Sequence, residues 1–163
     1  DGLYHFLPYD FRYINEDSVR RNAITDNHLQ KCLSSIEARK SLILLDTCNS
    51  GSFAKAQTVK RGIAEKTAID KLTRATGRLT LAASMDDQPA MVGYQGHGYF
   101  TYTLLKSFEE AGRKEGKREI VTTDIISYVT ELLPKITYEK FGYEQVPQVP
   151  QMSGVPFPIG MRQ

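Results

Sequence analysis

The stretch LILLDTCNSGSF, Leu42 to Phe53, constrains this chain more than any other. Four consecutive aliphatics bounded by Ser41 and Asp46 read as a strand buried on both faces, the pattern of a parallel sheet. A second strand is predicted at Arg78 to Ser84, RLTLAAS. Helical stripes alternate with these strands. Thr25 or Asp26 is a good N-cap for a helix whose Leu29, Cys32, Leu33 and Ile36 recur at the spacing of one buried face, which makes Cys32 a core residue. A later helix carries Phe100, Leu104, Leu105 and Phe108 on one side. A longer one starts at Thr122 or Thr123 with a stripe of Ile125, Ile126, Val129, Leu132, Leu133 and Ile136, and Pro134 is expected to kink or end it. Strands alternating with helices predict an α/β layer with a parallel core sheet.

The remaining segments read as connections. Leu3 to Pro8 is strand-like and residues 9 to 25 form a loop. A polar loop runs from the strand at Leu42 to about Glu65, and a short helix follows to Ala75, with Gly77 as its stop. Met85 to Gly98 is a loop, RKEGKRE at Arg113 to Glu119 is a solvated loop of mixed sign, and the proline-rich VPQVPQMSGVPFPIG is extended. At 163 residues the chain fits one domain with a sizeable core. A net charge of +2 proposes no nucleic-acid partner. Two cysteines make no disulfide framework, no apolar run approaches the ~20 residues that cross a bilayer, and no secretory signal opens the chain. The setting expected is reducing and cytoplasmic, without membrane. DGLYHFLPYD has no Met and runs straight into a strand, as at a fragment boundary.

Cys48 follows the Leu42 strand by three residues, at the carboxyl end where ligands bind in open parallel α/β sheets. A free thiol is only a few per cent thiolate at neutral pH, so a nucleophilic cysteine normally needs a histidine within hydrogen-bond reach. Three histidines are available. His28 falls in the first turn of a helix and reads as solvated. His5 shares a strand face with Leu3 and Leu7 and reads as packed or at an edge. His97, in GHGYF, sits in a tight turn just ahead of a helix. No spacing for a metal ion and no cofactor motif is found.

LLDTCNSGSF, then LTLAASMDDQPA, then GHGYFTYTLL, in this order, resemble the caspase-like superfamily of cysteine peptidases, in particular metacaspase-like or orthocaspase domains. DGLYHFLPYD is similar to the strand and loop that follow the catalytic His-Gly of that family. The resemblance implies a three-layer α/β/α sandwich with a mostly parallel sheet, its N-terminal strands lying ahead of Asp1, and one domain portion over 1–163. In caspases the base lies roughly 50 residues upstream of the nucleophile, which from Cys48 reaches past Asp1. The resemblance therefore places the catalytic histidine on an upstream segment, a partner of this chain, and makes His97-Gly98 a different family position. Cys48 is the implied nucleophile. A papain-like pairing of Cys48 with His97 falls far short of the ~130-residue separation of those enzymes.

Substrate preference follows from charge. Asp46 stands two residues before Cys48, where caspases carry Gln and the metacaspase and paracaspase branch, which cleaves after Arg or Lys, carries Asp. Ser84, Met85 and Asp86 resemble the segment lining the family's cleft, with Asp86 a second carboxylate. Asp46 also suits a local turn cap. The linker 52–65 carries Lys60-Arg61, a self-cleavage candidate for an enzyme that prefers basic residues. The partners implied are a protein or peptide substrate and regulatory domains or a protein activator. The alternative, from a different class, is a catalytically inactive caspase-like scaffold, decided by whether His-Gly precedes Asp1.

Overall fold

The computed structural model describes residues 5–8, 10–46, 78–83, 93–113, 119–149 and 156–161. The polar loop to Glu65, the helix to Ala75 and its Gly77 stop lie outside them.

The first strand ends at Phe6, before the expected Pro8: β1 (His5–Phe6) pairs antiparallel with β2 (Ile24–Thr25), His5 opposite Thr25, and Leu3 lies outside the described residues. Between them, where the sequence predicts only loop, lies α1 (Glu16–Asn22). Its seven residues include a single aliphatic, Val19, so no helical period shows. Its caps make it instead. Asn15 Oδ1 accepts from the Ser18 amide at 2.9 Å and Ser18 Oγ accepts from the Asn15 amide at 3.3 Å, while Glu16 and Asp17 open the helix and Arg20 and Arg21 close it, matching its dipole.

Thr25 caps α2 (Asp26–Ser34) as predicted, its Oγ1 accepting from the His28 amide at 3.2 Å. The expected buried stripe is not there. Leu29 and Leu33 are half-buried and Cys32 is exposed, so Cys32 is not a core residue. Ile36 lies beyond the C-cap Ser35, where helical phase no longer applies, and is exposed too.

β3 (Leu42–Leu45) and β4 (Leu79–Ala82) form the expected parallel pair, in register from Leu42 opposite Leu79 to Leu45 opposite Ala82. Their burial differs. β4 is almost wholly buried, whereas Leu42, Ile43 and Leu45 are half-buried and Leu44 is 38% exposed, against the expectation of a strand covered on both faces. The core packs on Leu79, Leu81 and Ala83 and takes in no β3 residue. β4 is also paired on its other side, where Ala82 and Gln148 exchange backbone hydrogen bonds of 3.0 Å in an antiparallel bridge. Arg78 ties the approach to β3 to β4, donating to Ser41 Oγ at 2.7 Å and to the Ile36 carbonyl at 2.5 Å.

The core itself comes from two packed helices, α3 (Tyr99–Arg113) and α4 (Thr122–Phe141). Phe100, Ala111, Ile125, Ile126, Val129 and Leu133 are buried together against β4, each large side chain contributing roughly 1.5–3 kcal/mol. Leu105, expected on the inner face of α3, is exposed; the inner positions are Phe100, Thr103, Ser107 and Ala111. Pro134 does not end α4. The carbonyl it leaves without an amide belongs to Thr130, an exposed residue, and the helix runs on to Gly142, whose φ of 68° suits its C-cap. Glu119 is not loop but the start of β5 (Glu119–Val121), which pairs antiparallel with β6 (Pro158–Met161) in the proline-rich tail. The fold is α/β, and among the described pairs the parallel one is β3 with β4.

Candidate active site

The parallel pair closes at its carboxyl end with a 2.8 Å bond from the Ala83 amide to the Leu45 carbonyl. Asp46 is the next residue, exposed, at that edge. Its Oδ2 accepts a 2.5 Å hydrogen bond from Thr101 Oγ1 in the first turn of α3. Asp46 is therefore held by a side chain 55 residues away; the residues of the local turn it could also cap lie outside the described ones. The N-terminal end of a helix, where the first-turn amides lie, is also the end that favours an anion.

The α3 start is set by a two-residue hairpin. Tyr94 and His97 exchange backbone bonds of 2.8 and 2.9 Å around Gln95 (φ 47°) and Gly96 (φ 84°), both left-handed as such a turn requires. His97 is thus in the tight turn predicted for it, and exposed. Tyr94 rests on Tyr99 and Tyr102, each with ring centroids 4.6 Å away, which fixes the hairpin to the first turn of α3. Burial, then the neighbouring Tyr94, raises the Tyr99 hydroxyl pKa. His5 is half-buried in β1, and His28 is exposed on α2.

A second support lies behind the same edge. Thr137 Oγ1, on α4, accepts from the Gln145 amide at 2.8 Å, and the buried Gln145 Nε2 donates to the Ala83 carbonyl at 2.8 Å. The end of β4, just before Ser84, is therefore pinned to α4. Sequence reasoning missed both Thr101 and Gln145. Thr101 lies inside the GHGYFTYTLL block, but a threonine in a helical pattern gives no sign of a partner on another element.

Of the predicted site residues the structure describes Asp46. Cys48, Ser84, Asp86, Lys60, Arg61 and the linker 52–65 lie outside the described residues. Among the described residues no cluster of His, Cys, Asp and Glu suits a metal ion, and no helix is long and apolar enough to cross a membrane.

A family model described as "Caspase domain" matches residues 5–157. Neither the curated proteins nor the solved structures provide a match.

Proposed function

The chain belongs to the caspase-domain family, a family of cysteine peptidases, and from that premise we propose that it is the nucleophile-bearing portion of an endopeptidase that cleaves proteins after Arg or Lys. The observation that carries the reading is Asp46: an exposed carboxylate at the carboxyl edge of a parallel strand pair, two residues before Cys48 in the chain.

In this proposal the Cys48 thiolate attacks the scissile carbonyl carbon, the new C–S bond pushing an electron pair onto oxygen, where the Cys48 amide donates. Collapse breaks the C–N bond, and an imidazolium supplied from the segment ahead of Asp1 protonates the leaving amine. Water then hydrolyses the thioester with the same imidazole as base. Asp46, with Ser84 and Asp86, receives the cationic side chain of the residue before the cleaved bond. The layers expected around this site are the three-layer α/β/α sandwich of a metacaspase- or orthocaspase-like domain. Lys60-Arg61 in the linker 52–65 is a substrate for the same chemistry. A cytoplasmic setting, regulatory domains or an activator, and the absence of a cofactor, of nucleic-acid contact and of membrane contact belong to the same proposal.

The test is cleavage of a fluorogenic peptide panel with Arg, Lys, Asp or Leu before the cleaved bond, by the complete polypeptide and its Cys48→Ala variant. Turnover of Arg and Lys peptides that Cys48→Ala abolishes is the expected result. Turnover surviving that substitution overturns the assignment of the nucleophile, preference for Asp overturns the basic pocket, and no turnover of any peptide by the wild type turns the reading to an inactive scaffold.

A further inference from the structure

We propose that Thr101 is a positioning residue for substrate specificity, holding the Asp46 carboxylate in the orientation that receives a guanidinium or ammonium group. This rests on the reading of Asp46 as the acceptor of the basic side chain. Several buried hydroxyls on the two core helices donate to their own helix: Thr103 to the Tyr99 and Phe100 carbonyls, Ser107 to that of Leu104, and Thr137 to those of Leu133 and Pro134. Thr101 donates elsewhere. Its hydroxyl leaves the helix and meets Asp46 Oδ2 at 2.5 Å.

Both ends of that bond are anchored. The Thr101 backbone lies in a first turn fixed by the Tyr94–His97 hairpin and by the Tyr94 ring on Tyr99 and Tyr102. Asp46 follows a strand end zipped by the Ala83 to Leu45 bond. A β-branched threonine on a helix is restricted to two main χ1 rotamers, so few directions are open to its donor.

Chemically, the bond occupies one of about four lone-pair positions on the carboxylate. One such bond does not by itself block a planar, two-pronged donor from meeting both oxygens. Immobilising a free side chain on binding costs about 0.5–1.5 kcal/mol, and here folding has already set the Asp46 rotamer before substrate arrives. Threonine thereby converts a mobile surface carboxylate into a preorganised one.

The experiment compares two peptides that differ only in charge, one with arginine and one with the neutral isostere citrulline before the cleavage position. Their Kd values are measured by calorimetry on the complete polypeptide carrying Cys48→Ala, so that the readout does not depend on turnover. The expected result is a preference for arginine that falls about 3- to 10-fold in Thr101→Val and recovers in large part in Thr101→Ser, which keeps the hydroxyl. Equal losses for both peptides in Thr101→Val, or an unchanged preference, overturn the positioning role while leaving the Asp46 pocket standing. Absence of any arginine preference before Thr101 is altered overturns the pocket and, with it, this proposal. Melting curves of all variants identify a Thr101→Val chain that has merely unfolded; Thr101→Ala and Thr101→Ser then decide the same question.

Discussion

α2 and α4 carry the same kind of sequence signal and meet different fates. Both place aliphatics at helical spacing, and α2 is well capped by Thr25. Yet α2 has no buried residue, whereas Thr122, Ile125, Ile126, Val129, Leu133 and Thr137 of α4 are buried. The difference lies in what each faces. α4 packs along α3 and against β5, and among the described residues the buried core cluster lies from Leu81 onward in the chain. Periodicity states which side of a helix turns inward. It does not state how much protein waits there.

Leucine-to-alanine exchanges at matched positions test this comparison most strongly. Leu133→Ala should lower unfolding free energy by about 2–5 kcal/mol, since it opens a cavity in close-packed surroundings. Urea unfolding of the two variants, Leu133→Ala and Leu33→Ala, measures the contrast; a loss of similar size for the half-buried Leu33 would break it.

Next in size is Gln145→Ala, which strips the Ala83 carbonyl of its side-chain donor and should cost about 1–3 kcal/mol. Hydrogen exchange should show the loss at the end of β4 before it reaches α2. A uniform rise in exchange would mean that the Thr137–Gln145–Ala83 link supports the whole domain and not this edge.

Leu33→Ala itself should cost about 1 kcal/mol or less, the ordinary range for a residue that keeps part of its surface in water. On the same helix Cys32 should react with a thiol reagent at the rate of an accessible cysteine in the native Cys48→Ala chain. Reaction only after unfolding would restore Cys32 to the core and erase the distinction between the helices.

The smallest effect expected at neutral pH is that of Tyr143→Phe, within roughly 0.5 kcal/mol of zero, because among the described residues the buried Tyr143 hydroxyl has no hydrogen-bond partner to lose. Alkaline conditions bring it out. Burial raises the Tyr143 pKa above 10.0, as it does for Tyr99, so the unfolded chain releases these protons first. The stability held below pH 10 is then lost as pH rises through the folded-state values. Melting temperatures from pH 8 to 11 should fall, and fall less in Tyr143→Phe. Identical curves for the two proteins would remove Tyr143 from the alkaline transition.

Much of this was legible in advance because it is local. The Thr25 cap, the strands at Leu42 and Leu79, the helix starting at Thr122 and the turn before α3 each depend on a few neighbouring residues and their backbone preferences. α1 was not legible, since a seven-residue charged helix has no period and its Asn15–Ser18 capping pair resembles many loop sequences. Apolarity alone puts Leu105 on the inner side of α3, whereas the inner face includes Thr103 and Ser107, hydroxyls that hide themselves by bonding to their own helix. At the candidate site the sequence singled out Asp46 and gave no hint of Thr101, because their bond spans 55 residues.

By itself, then, the sequence determined the alternation of strands and helices, and the family, through the ordered blocks around Asp46-Thr47-Cys48, LTLAAS and GHGYF. These are written in residue type and short-range order. Only the tertiary structure decided that β4 and not β3 carries the core, that Cys32 faces water, that Gln145 pins the end of β4, and that Asp46 is held from α3. Each of those depends on which distant element arrives at a given face, and a side chain's burial or hydrogen bond is a property of that meeting and not of the residue alone.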